Sequence, residues 1–202
     1  MSDYKHKQKN CDDDYISVMF KLIRFSIDKA EVFSSEKTDV LTLEKIYALS
    51  EAHSITPIIA YALSKIDYSF KTEQEKAIFN KFNKSLLKSV VKYENTNLFI
   101  ESVKKTFNEQ KIPFIFLKGW VIKDLYPEKY LRTFCDIDVL IESESFEQNA
   151  KIVAKELNLK IKDRTLHDIM FSSPNNDVLE LHHTLLEKGR IKSAEKVLCD
   201  VW

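Results

Sequence analysis

The spacing of apolar residues changes near residue 110, and this change constrains the fold more than any other feature of the sequence. Before it, apolar residues recur every three or four positions, as in "YISVMFKLIRFSI" and from about Glu73 to Asn108, which is typical of amphipathic helices. After it, short apolar runs such as "KIPFIFLKG" and "CDIDVLIE" alternate with helical segments and turns. The sequence therefore predicts an α+β (α/β) protein, with a helical N-terminal region followed by a small mixed sheet flanked by helices.

Three segments follow from this pattern. Residues 1–14 are polar and are expected to be a disordered lead, residues 15–110 a helical region, and residues 111–202 an α/β core. In the core, "LKIKD", "LHDIMFSS" and "DVLELHHTL" predict three strands, and the turn residues "SPNND" predict a hairpin between the last two. The end of the chain, from Glu187 to Trp202, is expected to be helical.

Composition excludes several classes of protein. Lys plus Arg equals Asp plus Glu at 31 each, whereas a protein that coats nucleic acid usually carries a basic excess. Only two glycines occur, so a Gly-rich phosphate loop is not expected. Apolar runs are too short for a membrane span, the start lacks the apolar stretch of a signal peptide, and three separated cysteines suggest reduced thiols. We therefore expect a cytoplasmic protein with no membrane partner.

Two acids stand inside an apolar strand pattern, "CDIDVLIE". Side chains two residues apart in a strand point to the same face, so Asp136 and Asp138 are expected to lie together, while Ile137 and Val139 pack on the other face. Two carboxylates about 5 Å apart repel by about 3 kcal/mol at an effective dielectric constant near 20. Protonation, a nearby cation or a metal ion would relieve this repulsion, and oxygen ligands favour Mg²⁺ or Mn²⁺.

A third acid and a lysine extend this candidate site. Glu180 is a lone carboxylate in "DVLELHH", where Leu179 and Leu181 are expected to face the core and leave Glu180 with His182 on the other face. If this strand lies beside the Asp138 strand, the carboxylates converge and could hold divalent ions. The alternatives are solvated acids at a strand end, acids paired with Arg132 and Lys118, and an ordinary exposed position for Glu180.

These parts together resemble a known family. A strand with "LKG", a helix reaching "YP", an arginine, "DIDVLI" and later "LELH" are similar to the nucleotidyltransferase superfamily related to DNA polymerase beta, and especially to its bacterial branch of stand-alone nucleotidyltransferase family proteins. The resemblance runs from about Ile112 to Leu186. The stretch "LEKIYALSEAHSITPIIAYAL" is similar to that branch's N-terminal region, so the resemblance is expected to start near residue 40.

The resemblance implies a minimal nucleotidyltransferase core and a Mg²⁺-dependent (or Mn²⁺-dependent) enzyme that transfers an NMP from an NTP to a hydroxyl acceptor. The acceptor is left open: a small molecule, a protein or a nucleic-acid end. The residues that match the family pattern are Asp136, Asp138 and Glu180 as catalytic metal ligands, Lys118, Gly119 and Arg132 as nucleotide-binding residues, and His182 as an auxiliary residue.

The sequence departs from this family in ways that keep two other functions open. Trp120 follows Gly119 where the superfamily usually has a serine, and His183 stands where the branch is expected to have a tryptophan. The branch usually continues into further helices, so the resemblance also implies that this core is short or C-terminally truncated. Together these departures favour a catalytically inactive nucleotidyltransferase-fold module that binds or regulates. A metal hydrolase that uses Glu180, His182 and His183 is the third hypothesis, and it is disfavoured because adjacent strand residues face opposite sides.

Overall fold

The structure is a computed structural model, and it describes residues 2–28, 39–142 and 144–185, with side chains from residue 15 onward. The chain divides into two compact units. The first contains Met1–Tyr93 and Asp124–Thr133, and the second contains Glu94–Lys123 and Phe134–Trp202. The predicted boundary between a helical region ending at residue 110 and a core starting at residue 111 stays a prediction.

The first unit is helical, as the apolar spacing predicts. It contains α1 (Ser2–Ile27), α2 (Val40–Ala52), α3 (Thr56–Ser64) and the first part of α4 (Glu73–Glu109). Helix α1 packs against α2 and α3. Fully buried apolar side chains from all four helices form the core, among them Leu22, Leu43, Ile46, Ile59 and Phe82.

Helix α1 begins earlier than the sequence analysis predicts. Residues 1–14 were expected to be disordered, but the helix extends back to Ser2. Neither Gly nor Pro occurs in this stretch, so no residue type in it breaks a helix.

The other helices of this unit begin at residues with side chains or rings suited to a first turn. The Asp39 carboxylate accepts a hydrogen bond of 2.7 Å from the Thr42 amide at the start of α2. Pro57 lies in the first turn of α3, where a missing N–H is tolerated. Helix α4 has a reciprocal capping box, in which the Glu75 amide donates to Thr72 Oγ1 at 3.1 Å and the Thr72 amide donates to Glu75 Oε2 at 3.2 Å.

The second unit contains the end of α4 and a five-stranded mixed sheet. Its elements are β1 (Phe114–Phe116), α5 (Lys118–Ile122), β2 (Ile137–Ile141), α6 (Phe146–Glu156), β3 (Lys160–Arg164), β4 (Asp168–Ser172) and β5 (Val178–His182). The strand order is β1-β2-β5-β4-β3. Strands β2 and β5 are parallel, and the other neighbouring pairs are antiparallel, including the predicted β4–β5 hairpin.

The central strands bury one apolar face. The side chains of Val139, Ile141, Leu179 and Leu181 have no exposed surface. Ile169 and Phe171 of β4 are also buried and lie in register with this face. Burial of this face determines the register of β2, β4 and β5, because a slip of one residue would bury the opposite side chains.

Helix α6 begins without a side-chain cap. Ser145 occupies the N-cap position of α6, but its side chain makes no capping hydrogen bond, and only its carbonyl accepts the Asn149 amide at 2.9 Å.

The predicted C-terminal helix lies outside the described residues. In the part of the chain that the structure describes, no helix has the length and apolar character that crossing a membrane requires.

Candidate functional site

The polar face of the sheet brings together residues of β2 and β5. Asp138 pairs in register with Glu180 across the parallel strands, and each lies between apolar neighbours that point to the buried face. The side chain of Asp138 is 3% exposed, and that of Glu180 is 15% exposed. The structure thus brings two of the three predicted carboxylates together across neighbouring strands.

His182 joins the two acids two residues further along β5. Its Nε2 lies 2.9 Å from Asp138 Oδ1 and 3.7 Å from Glu180 Oε2. One ligand atom from each of the three residues lies within 4.8 Å of the other two, a grouping that can hold a metal ion. Because the group supplies two carboxylates and one imidazole from rigid strands, its donor set suits a divalent cation.

Lys118 reaches the same site from the end of β1. The Leu117 amide donates to the Asp138 carbonyl at 2.9 Å, which fixes the end of β1 beside β2. Lys118 then adopts a left-handed backbone with φ of 44°, and its ammonium donates to Asp138 Oδ1 at 2.8 Å. A left-handed conformation at a residue with a Cβ costs about 1–2 kcal/mol, and such strain is concentrated at functional sites.

The charges of these groups shift their proton affinities in opposite directions. Burial acts to raise the pKa of Asp138, but the hydrogen bonds from His182 and Lys118 outweigh it, and the pKa of Asp138 is lowered. Burial raises the pKa of Glu180, and the negative charges of Asp138 and Asp136 raise it further. The hydrogen bond to Asp138 raises the pKa of Lys118 above its ordinary value. At neutral pH the site thus holds an ionised Asp138, a cationic Lys118 and a more basic Glu180.

Asp136 and Gly119 lie near the site without joining its group of three. Asp136 directly precedes β2 and is half-buried, and its charge acts on both Lys118 and Glu180. Gly119 is buried in α5, a helix of only five residues. Their proposed contacts with metal and phosphate stay predictions.

Arg132 and Trp120 each contact residues of their own unit. Arg132 belongs to the first unit, where its guanidinium donates to the Thr133 carbonyl and its Nε is buried with no hydrogen-bond partner among the described residues. Trp120 packs edge-on against Phe134 at 5.9 Å between ring centroids, and the Lys123 ammonium lies 4.0 Å from its ring centroid. The residue that follows Gly119 therefore serves internal packing, and the nucleotide role of Arg132 stays a prediction.

The sequence analysis missed one acid, Asp168. It begins β4 and pairs in register with His182, and its Oδ2 lies 3.9 Å from His182 Nδ1. The signal was present in "HDIMF", where the alternation of Asp168 and Met170 with buried Ile169 and Phe171 places the acid on the polar face. The adjacent His183 points away, and its Nε2 bonds to the Leu166 carbonyl at 2.8 Å, as expected for neighbours on a strand.

Comparison with known protein families identifies the family of the chain. A family model described as uncharacterised nucleotidyltransferase matches residues 40–199, more than half of the chain. The chain belongs to this nucleotidyltransferase family. The predicted family is thereby confirmed, and its matched range includes every site residue named above.

Comparisons with solved structures and with curated proteins gave one structural match and no curated relative. A solution structure of the antibiotic-resistance factor ANT(2'')-Ia matches with a TM-score of 0.38 and 14% identity. The match covers 44% of this chain and 46% of that chain, so this chain spans less than half of that protein. A comparison with curated proteins gave no significant match.

Proposed function

We propose that this nucleotidyltransferase transfers a nucleoside monophosphate from an NTP to a hydroxyl acceptor, using a divalent metal ion held at the β2–β5 pair. The observation that carries the proposal is the in-register pairing of Asp138 with Glu180, with the Lys118 ammonium against Asp138. A buried acid pair of this kind is costly to a fold unless it binds a cation. Membership of a nucleotidyltransferase family supports nucleotidyl transfer as the reaction.

The metal would be held by Asp138 and Glu180, with Asp136 and His182 as the neighbouring donors. The carboxylate pair fits a divalent ion, because its mutual repulsion in a buried position is relieved by positive charge. When bound, Mg²⁺ or Mn²⁺ would neutralise charge on the triphosphate and acidify the acceptor hydroxyl.

The residues of the chain would then act as follows. The acceptor oxygen attacks the α-phosphorus of the NTP, the bond from that phosphorus to the β-phosphate oxygen breaks, and pyrophosphate leaves. Glu180 would accept the hydroxyl proton, because its carboxylate lies beside Asp138 on the polar face of the sheet, next to the proposed metal position. Lys118 stays cationic at neutral pH and can turn from Asp138 to a phosphate, since its side chain is 65% exposed.

Calorimetric titration of ATP, GTP, CTP and UTP, each with and without Mg²⁺ or Mn²⁺, tests the proposal. We expect binding of at least one NTP that requires the metal ion and is lost in Asp138→Asn. The matched control is Asp163→Asn, because Asp163 lies on the exposed strand β3 of the same sheet. Equal binding by wild type and Asp138→Asn, or binding of no NTP by the wild type, would contradict the proposal.

A second candidate function is a nucleotide-binding module without catalysis. It is favoured by one observation: Lys118 and His182 both contact Asp138 Oδ1, so this acid is paired without any metal ion. Such a module would bind an NTP in the absence of metal, and the same titrations separate the two functions.

A further inference from the structure

His182 lies among three acidic side chains on the polar face of the sheet, two on one side of its ring and one on the other. Its Nε2 faces Asp138 and Glu180 at 2.9 and 3.7 Å, and its Nδ1 faces Asp168 at 3.9 Å. The side chain is 12% exposed, so the ring is held by its surroundings on β5. The two ring nitrogens therefore have different neighbours and can have different roles.

The distances on the Nε2 side match the spacing of ligands around one ion. Ligand atoms at about 2.1 Å from an octahedral ion are about 3 Å apart when adjacent and about 4.2 Å apart when opposite. The separations of 2.9 and 3.7 Å lie in this range, and the third ligand pair lies within 4.8 Å. A cation among these atoms would take the place of the contact between His182 Nε2 and Asp138 Oδ1.

Asp168 lies on the Nδ1 side of the His182 ring, where its carboxylate can orient the ring. It is paired in register with His182 across the β4–β5 hairpin, and its side chain is 19% exposed. The present separation of 3.9 Å is longer than a hydrogen bond, and a small side-chain rotation would close it. A carboxylate against the second nitrogen of a ligating histidine fixes the tautomer and makes the first nitrogen a better donor.

We propose that His182 is a direct metal ligand positioned by Asp168, and that the site therefore binds Mn²⁺ more tightly than Mg²⁺. The proposal rests on the proposed function in one respect, that the metal site is the β2–β5 acid pair. Mg²⁺ strongly prefers oxygen ligands, whereas transition-metal ions accept imidazole nitrogen. The nitrogen donor thus gives this site a selectivity that a purely carboxylate site lacks.

An incoming metal ion would displace the Lys118 ammonium from Asp138. Its ammonium donates to Asp138 Oδ1, the same oxygen that His182 contacts. Because the Lys118 side chain is 65% exposed, it can leave that oxygen without losing buried packing. His182 has no such freedom, and it stays beside the ion as a ligand.

Pulsed electron paramagnetic resonance of the Mn²⁺-loaded full chain tests the ligand directly. Nitrogen coordinated to Mn²⁺ modulates the electron spin echo, and labelling histidine with ¹⁵N changes the modulation frequency without any mutation. We expect this modulation in the wild type and in His183→Gln, and its loss in His182→Gln. His183→Gln is the matched control, because His183 is adjacent in sequence but bonds to the Leu166 carbonyl.

Calorimetry with Mn²⁺ and Mg²⁺ tests the selectivity and the role of Asp168. We expect His182→Gln to weaken Mn²⁺ binding at least about 10-fold and to change Mg²⁺ binding much less. We expect Asp168→Asn to weaken Mn²⁺ binding about 10-fold to 100-fold while the nitrogen modulation remains at saturating Mn²⁺. Circular dichroism of each variant checks that it folds.

The outcomes separate this inference from the proposed function. Mn²⁺ binding that needs Asp138 but shows no nitrogen modulation would overturn the role of His182 and leave the proposed function standing. Unchanged Mn²⁺ affinity in Asp168→Asn would overturn the role of Asp168. Absence of both Mn²⁺ and Mg²⁺ binding would overturn the proposed function together with this inference.

Discussion

Replacing Glu180 by glutamine should stabilise the metal-free protein, even though it removes a proposed catalytic group. Glu180 lies on β5 beside the ionised Asp138, and the ligand atoms of their group lie within 4.8 Å. Two charges 4.8 Å apart, the upper limit for these atoms, repel by about 3.5 kcal/mol at an effective dielectric constant of about 20. Attraction to the Lys118 ammonium offsets part of this repulsion, so we expect Glu180→Gln to raise the free energy of unfolding by about 1–2 kcal/mol.

The pH dependence follows from the raised pKa of Glu180. Its ordinary value is 4.5, and in the folded chain it is higher, so the folded state binds this proton more tightly than the unfolded state. Stability therefore falls as pH rises from the ordinary value through the raised pKa, and the full cost is present above it. Glu180→Gln should be more stable than the wild type at pH 7, and the difference should vanish near pH 4, where Glu180 is protonated in both states.

Urea denaturation in the presence of a chelator measures this effect at both pH values. The matched control is Glu94→Gln, an exposed position within α4, which should change the free energy of unfolding by less than about 0.5 kcal/mol. At saturating metal ion the wild type should be more stable than Glu180→Gln, because ion binding stabilises only the protein that keeps the ligand. This stabilisation is about 2.7 kcal/mol at a metal concentration of 100 times the dissociation constant. Destabilisation of the metal-free protein by Glu180→Gln would refute the reasoning, since it would mean that the fold needs this carboxylate.

Three further predictions concern the elements that position the site and the helical unit. Leu181→Ala should cost about 2–5 kcal/mol in urea denaturation, because Leu181 has no exposed surface and lies between Glu180 and His182. Asp39→Ala should cost about 1 kcal/mol at pH 7 through loss of the α2 cap. Since the hydrogen bond from Thr42 lowers the pKa of Asp39 below 3.8, this contribution should be present above that value and lost as pH falls through the lowered pKa. Glu75→Ala should cost about 1 kcal/mol, measured the same way, because its carboxylate accepts the Lys71 and Thr72 amides before α4.

The strands of the site could be predicted because residues of the buried, apolar face occupy every second position in them. In "DIDVLI" and "VLELH" every second residue is apolar on the buried face, so the acids between them had to share the other face. The same argument placed His182 beside Glu180 and turned His183 away. Family resemblance supplied the pairing of these two strands, which alternation alone does not specify.

Other features depend on contacts between distant parts of the chain. The position of Asp168 beside His182 follows from the register of the β4–β5 hairpin, which turn composition predicts only approximately. The left-handed backbone of Lys118 arises where the end of β1 is fixed by the Asp138 carbonyl, and a lysine gives no local signal for it. The α1 helix extends through a polar stretch for which composition favoured disorder.

Analysis of the bond that is broken tests the central claim most directly. The wild type is incubated with α-labelled NTP and Mg²⁺ or Mn²⁺, with water as a slow acceptor, and the products are separated by chromatography. We predict labelled NMP and an equal amount of pyrophosphate, formed by the wild type and by Asp163→Asn but not by Asp138→Asn. Formation of NDP and phosphate instead, or equal NMP formation by Asp138→Asn, would contradict the assignment of Asp138 and Glu180 to nucleotidyl transfer.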